Sequence, residues 1–354
     1  MNKESELPSL KFGQYEIKYP IFQGGMSVAI SGAQLAAEVA RCGGAGTIGG
    51  VGRGFTPEKY TYEAGRQALR NELKKANEIN PHGVFGVNLL VAVRDYDQLV
   101  RVSVENGAKF IVSGAGLPTD LPELTADHPE VALIPIVSSV QAVRIICQMW
   151  NRRHKRLPDA IVIEAPSTAG GHLGVTPKQG IYDENLKLEY VIPESRKFLE
   201  SQGWNIPLIA AGGIWSREDI EWAIKLGADG VQMATRFVCT PECEAPDEFK
   251  QKYIDSKSED VIIIQSPVGI PGRAIRTKFL ERVENGEIRD QCRVSCLTQC
   301  RLRDDRQTYC IIKALDSVRR GDVENGIVFS GSNAYRSKEQ GIVPVRKIFE
   351  ELTG

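Results

Sequence analysis

The chain has 354 residues, 42% of them hydrophobic and 25% charged, with a formal net charge of −1. That is enough apolar material for one large domain or two ordinary ones, and so even a charge balance gives no electrostatic footprint for nucleic acid or a membrane surface. The opening Met1-Asn2-Lys3-Glu4-Ser5-Glu6 has no apolar signal core and no apolar run reaches membrane-spanning length, so the expected location is the cytoplasm, where thiols stay reduced and clustered cysteines point to metal ligation rather than disulfides.

Short apolar runs alternate with amphipathic segments to about residue 240. The predicted strands are 20–23, 45–48, 84–89, 110–113, 132–137, 160–164, 207–211 and 230–234. Continuous apolar strands separated by helices argue for a parallel sheet buried on both faces. One predicted helix, 31–40, ends before Gly43-Gly44. Another, 216–224, opens on a serine cap and early acids and closes near Gly227. Eight such strands predict an α/β fold, a (β/α)8 barrel over residues 15–240. A doubly wound sheet is the alternative that pattern alone leaves open. Residues 241–330 break the alternation and read as an inserted helical or irregular subdomain carrying clustered cysteines. Residues 331–354 are expected to pack back on the barrel as a C-terminal segment.

Chemistry-bearing residues fall at strand ends, where barrel enzymes keep them. The first strand runs into Gln23-Gly24-Gly25-Met26, and the third carries Asn88. A planar ring could lie against that glycine backbone, with Gln23 or Asn88 bonding its polar edge. A purely structural turn is the alternative. The sixth strand ends at Glu164 and leads into Ala165-Pro166-Ser167-Thr168-Ala169-Gly170-Gly171-His172-Leu173-Gly174. A glycine pair admits close backbone approach to a ligand, and the histidine beside it is suited to proton transfer near neutral pH. An inert loop histidine is the alternative. Gly212-Gly213 after the seventh strand and Gln232-Met233-Ala234-Thr235-Arg236 at the eighth have the arrangement of a phosphate site. Thr235 would add a hydroxyl and Arg236 a charge, unless the glycines only make a tight turn.

Taken in order, these motifs resemble the nitronate monooxygenase family, formerly called 2-nitropropane dioxygenases, which includes enoyl-acyl carrier protein reductase II. The resemblance covers about residues 15–240 and the last helix. It implies an FMN-dependent oxidoreductase on a (β/α)8 barrel. Gln23, Gly24, Gly25, Met26 and Asn88 would line the flavin ring. Gly171, Gly212, Gly213, Ala234 and Thr235 would hold the ribityl phosphate, with Glu164, Gly170 and Gln232 completing the cofactor-binding set. His172 would face a small-molecule substrate. The family usually has glycine where this chain has Ala234, a change that keeps the N–H donor. In nitronate oxidation, His172 would deprotonate a nitroalkane or stabilise its anion. In enoyl-thioester reduction, NAD(P)H would be the electron donor. A homodimer is the expected assembly. A barrel that binds a phosphorylated ligand without turnover is the non-enzymatic alternative, and His172 between glycines argues against it.

Outside that resemblance stands Cys292-Arg293-Val294-Ser295-Cys296-Leu297-Thr298-Gln299-Cys300, followed by Cys310. The C-x3-C-x3-C-x9-C spacing puts three cysteines on one helix face or wraps them round a cluster in a loop. Four thiolates suit an iron–sulfur cluster or zinc, although the spacing is not that of C-x2-C zinc pairs. Reduced thiols packed on one helix are the alternative. An iron–sulfur cluster would favour a reductase or anaerobic redox role over a dioxygen-consuming one. Arg273, Arg276 and Lys278 form a basic stretch, read either as solvated surface or as a receptor for a phosphate-bearing nicotinamide or acyl carrier.

Overall fold

The computed structural model describes residues 6–56, 60–175, 178–305 and 308–354. Its frame is eight parallel strands, Ile21–Gln23, Gly46–Gly49, Phe85–Leu90, Phe110–Gly114, Ala132–Val137, Ile161–Glu164, Leu208–Ala211 and Gly230–Met233, adjacent in chain order. The ring closes between the first and second strands. There Gln23 N–H donates to the Ala45 carbonyl and Ala45 N–H to the Ile21 carbonyl, both at 2.9 Å. An open doubly wound sheet would leave those edges unpaired, so the barrel is the fold.

The strands are apolar throughout because both faces are buried. Phe22, Phe110, Val112, Ile134, Val162 and Ile209 point into the barrel. Ile21, Ile48, Val87, Ile111, Leu133 and Ile163 pack outward against the helices. Each fully buried side chain of this size stabilises the fold by roughly 1.5–3 kcal/mol. A hairpin, Leu10–Phe12 with Tyr15–Ile17, plugs the N-terminal end. The Phe12 ring sits 5.0 Å from Phe22 and 5.7 Å from Phe110. With that end filled, the C-terminal end is left for ligands.

The helix Arg217–Lys225 starts at the predicted serine. The Ser216 hydroxyl accepts from Asp219 N–H and the Asp219 carboxylate accepts from Ser216 N–H, a reciprocal capping box. The last helix, Val345–Thr353, returns to the barrel, where Phe349 packs near Phe237 and Tyr19.

Residues 241–330 carry the helix Asp247–Asp255 and an antiparallel ribbon, Val261–Gln265 with Pro271–Ile275, as well as further short helices. The expectation of a helical or irregular subdomain here did not include this ribbon. Its second strand pairs with Val328–Phe329 on part of its length and with Gly171–His172 on another. The loop after the sixth barrel strand is thus built into the insertion's sheet. Among the described residues no helix is long and apolar enough to cross a membrane.

Candidate active site

A cavity of about 840 Å³ opens at the C-terminal end of the barrel. Gly24, Gly25, Met26, Asn88, Glu164, Gly170, Gly171, His172, Gly212, Gly213, Gln232, Ala234 and Thr235 all border it. Gln23 does not. Its side chain is fully buried, its Oε1 accepts from Thr47 N–H at 2.9 Å, and its Nε2 donates to the Gly24 carbonyl. Gln23 shapes the turn from beneath, whereas Asn88 and Gln232 border the cavity.

The glycines keep the wall bare where a side chain has no room. A Cβ on Gly25 would lie 2.3 Å from the Asn88 Cβ, and one on Gly170 would lie 2.6 Å from the Gly331 nitrogen. Gly213 has a φ of +79°, and a Cβ there would meet the Thr168 Cβ at 3.0 Å. The position is therefore closed to L side chains by conformation and by space.

The loop after the sixth strand is clamped by Arg273. This buried guanidinium donates to the carbonyls of Pro166 at 3.2 Å, Ser167 at 2.9 Å and Ala169. Arg273 is thus neither solvated nor offered to a phosphate, contrary to both readings of the basic stretch. Arg236 is likewise absent from the phosphate position. It donates to the Trp215 carbonyl, the Glu351 carboxylate and Gln340 Oε1, tying the C-terminal helix to the barrel.

His172 presents its ring at the cavity wall. Its Nε2 lies 2.8 Å from Ser266 Oγ, and its ring meets Phe329 edge-on at 5.1 Å. Burial pushes its pKa down to about 4, because a charged imidazolium loses hydration there. Glu164 moves the other way. Burial raises its carboxyl to about 7, against the pull of the Arg273 guanidinium. Its carboxylate accepts no hydrogen bond from the described residues. Two titratable groups on one wall are therefore driven apart, the histidine neutral and the carboxyl poised near neutrality.

Sequence reasoning missed Gly331, Ser332 and Asn333, which complete the cavity from beyond the insertion. Ser332 N–H donates to the Thr168 carbonyl at 3.0 Å, Gly331 N–H to Thr235 Oγ1 at 2.9 Å, and Asn333 Nδ2 to the Gly213 carbonyl at 2.6 Å. Their turn-forming composition was the only local signal.

The model of the family described as nitronate monooxygenase matches residues 9–95 and 55–354. The chain belongs to the nitronate monooxygenase family. This is a family of flavin-dependent oxidoreductases. Over 270 residues the chain is 26% identical to the Mycobacterium tuberculosis (3aS,4S,5R,7aS)-5-hydroxy-7a-methyl-1-oxo-octahydro-1H-indene-4-carboxyl-CoA dehydrogenase, covering 76% of this chain. The chain spans 66% of that relative's length. It is also 26% identical to a "probable nitronate monooxygenase" of Staphylococcus aureus, over 77% of this chain and 79% of the relative. FabK from Thermotoga maritima superposes with a TM-score of 0.72 at 26% identity, over 95% of this chain and 92% of that one. A nitroalkane oxidase from Streptomyces ansochromogenes shares the fold, with a TM-score of 0.71 at 18% identity over 95% of each chain.

The cavity suits a flavin of the kind this nitronate monooxygenase family uses. Gln232 Oε1 is buried on its wall without a hydrogen-bond partner, although buried polar atoms are almost always paired. A ring with donors and acceptors at its edge would satisfy it. The N–H groups of Gly213 and Thr235 find no acceptor among the described residues, which leaves them for an anion.

Cys147 is buried in a helix, while Cys239 and Cys243 point their thiols at the carbonyls of Lys250 and Ile30. Cys292, Cys296 and Cys300 lie outside any helix, which removes the shared-helix-face reading. Among the described residues no three His, Cys, Asp or Glu side chains are grouped to hold a metal ion.

Proposed function

We propose that this chain is an FMN-dependent oxidoreductase that oxidises a small anionic substrate of the alkyl nitronate class. Gly24, Gly25, Met26, Asn88 and Gln232 would hold the flavin ring. Gly171, Gly212, Gly213, Ala234 and Thr235 would hold its phosphate, with Ala234 giving the same N–H as glycine. When bound, FMN supplies the redox chemistry, and the protein supplies position and electrostatics.

The observation that carries this reading is the state of His172. The Ser266 hydroxyl accepts from Val268 N–H at 3.3 Å and lies within hydrogen-bond distance of His172 Nε2, so the ring is oriented by an uncharged partner and not by a carboxylate that would favour its protonated form. A neutral imidazole with a pKa of about 4 is a weak base and a competent hydrogen-bond donor. It therefore suits holding an anion already formed better than removing a proton from a neutral nitroalkane. Glu164, protonated below about pH 7, leaves the wall without a competing negative charge.

The test is anaerobic mixing of flavin-loaded protein with ethyl nitronate and, separately, with nitroethane. Bleaching of the flavin bands by the nitronate, at concentrations where nitroethane is inert, is expected. Flavin that neither compound bleaches contradicts the reading.

Enoyl-thioester reduction is the second reading. It is favoured by the M. tuberculosis relative, whose name specifies a CoA thioester, and by an apolar wall that includes Leu90, Val91, Leu117, Ile136 and Val268. Here NAD(P)H would be the reductant and His172 would donate to the thioester carbonyl. Bleaching by NADH followed by recovery on adding crotonyl-CoA without oxygen would select it.

A further inference from the structure

We propose that a second, apolar cavity beside His172 receives a straight alkyl tail of about three carbons on the substrate, so that butyl nitronate is preferred to ethyl nitronate. The inference rests on the reading that His172 holds the anionic head of a nitronate in the flavin cavity.

The second cavity has a volume of about 70 Å³ and adjoins the first. Leu90, His172, Val268 and Leu315 border both. The group held at His172 therefore stands one layer of side chains from an apolar space. The barrel supplies one side of that space through Val51, Val93 and Leu99. The insertion supplies the other through Leu297, Ile311 and Ile312. Ile311, Ile312 and Leu315 fall on one face of the helix Ile311–Arg319. Cys296 adds a thiol, which packs as a small apolar group.

Polar groups at the edge of the pocket are already engaged. The Asp95 carboxylate accepts from Arg66 Nε at 2.9 Å and from Arg66 Nη2 at 2.5 Å. The Tyr62 hydroxyl donates to the Ser295 carbonyl at 2.9 Å. An occupant with a polar end would compete for these bonds, whereas a hydrocarbon leaves them intact and gains by leaving water. Size sets its length. An apolar protein cavity of about 150 Å³ takes up benzene, and about half that volume suits about three carbons.

The walls are fixed, which lets the pocket measure length. Leu297 bridges Val93 in antiparallel fashion, Arg94 N–H donates to the Cys296 carbonyl at 3.0 Å, and Thr298 N–H donates to the Ala92 carbonyl at 2.9 Å. The Arg303 guanidinium donates to the carbonyls of Leu297 and Thr298, each at 2.9 Å. On the barrel side, Val28 borders both cavities with a φ of +53°, a conformation that a β-branched residue avoids. Its N–H donates to the Val51 carbonyl at 2.9 Å. Backbone held in such a conformation is found at ligand clamps, where the surroundings over-determine it.

The experiment is calorimetric titration of the flavin-loaded full chain with straight-chain carboxylates from acetate to octanoate. A carboxylate is an unreactive planar two-oxygen anion like a nitronate, and pentanoate matches butyl nitronate in tail length. Anaerobic flavin bleaching by ethyl and butyl nitronate is run in parallel. Affinity should rise about fourfold per added carbon up to pentanoate and level off beyond it. Val51→Phe, which fills the pocket, should bring the ratio of pentanoate to acetate affinity close to one. If that variant does not fold, Ile312→Ala enlarges the pocket and should move the plateau to longer chains. Affinity that is the same from acetate to pentanoate, or a rise that survives Val51→Phe unchanged, overturns the proposal, the latter because the tail then lies in the flavin cavity. The two readings fail separately. Nitronates that leave the flavin unbleached while the carboxylate trend holds remove the nitronate reading and keep the pocket. Bleaching by both nitronates with a flat carboxylate series removes the pocket alone.

Discussion

Nε2 of His172 lies 2.8 Å from Oγ of Ser266, across 94 residues of chain. This contact, with the pairing of Gly171–His172 to Gly272–Arg273, means that the insertion orients the histidine. His172→Ala is expected to retain flavin, because in the proposed site backbone groups would hold its phosphate. Turnover should fall by roughly 10²–10⁴-fold, the usual range for a positioned proton-handling side chain. Steady-state kinetics at matched flavin content checks this, and unchanged turnover removes His172 from the chemistry.

The opposed shifts of His172 and Glu164 have opposite consequences for stability. The folded-state pKa of His172 is depressed to about 4, so the unfolded chain takes up the proton first as pH falls. Stability from this group is full above about 6.5 and is lost toward pH 4. The folded-state pKa of Glu164 is raised to about 7. Its contribution is full below about 4.5 and is lost as pH rises to 7. In flavin-free protein the two slopes offset between about pH 4.5 and 6.5. Glu164→Gln should therefore leave a Tm that rises with pH across this window, and His172→Gln one that falls. Parallel Tm curves for the two variants would contradict the assignment.

The Arg273 clamp makes a separate claim about stability. Arg273→Met leaves the carbonyls of Pro166, Ser167 and Ala169 without their donor. Hydrogen bonds to a charged group contribute about 1.5–3 kcal/mol each, without simple additivity. A loss on the order of 2–4 kcal/mol by denaturant unfolding is expected, with Arg273→Lys recovering only part of it. A loss under about 0.5 kcal/mol, the scale of ordinary surface substitutions, would mean that the loop is held by other contacts.

The protonation of Glu164 also bears on an anionic substrate. As the carboxyl ionises through about pH 7, it places a negative charge on the same wall, and KM for a nitronate should rise. In Glu164→Gln that rise should disappear while kcat changes less. A pH series of KM for the two proteins distinguishes this from a purely structural carboxyl, which would leave the wild-type KM flat.

The barrel was legible because a strand buried on both faces must be apolar along its length. Runs such as Ala132–Val137 and Ile161–Glu164 have few other readings once helices separate them. The glycine-rich turns were legible for a related reason, since Gly213 occupies a conformation that side chains avoid. What escaped notice depended on partners distant in sequence. Arg273 and Arg236 look like surface charges until the carbonyls they bind are known, and Asn333 reaches Gly213 from 120 residues away. Gln23 was assigned to the cavity because it neighbours Gly24-Gly25. Its side chain instead turns under the strand end to Thr47, a choice of rotamer that local sequence does not encode.

The central claim is that the glycine-lined mouth of this barrel holds FMN by its phosphate. Stoichiometric titration of flavin-free protein with FMN, followed by quenching of flavin fluorescence, tests it most directly when Gly213→Val is run beside the wild type. Valine there would be forced to a φ of +79° and against Thr168. Saturation near one FMN per chain for the wild type, with binding weakened at least about tenfold in the variant (about 1.4 kcal/mol), is the expected result. Wild-type protein that leaves FMN fluorescence unchanged, or equal affinity in a folded Gly213→Val, would contradict it.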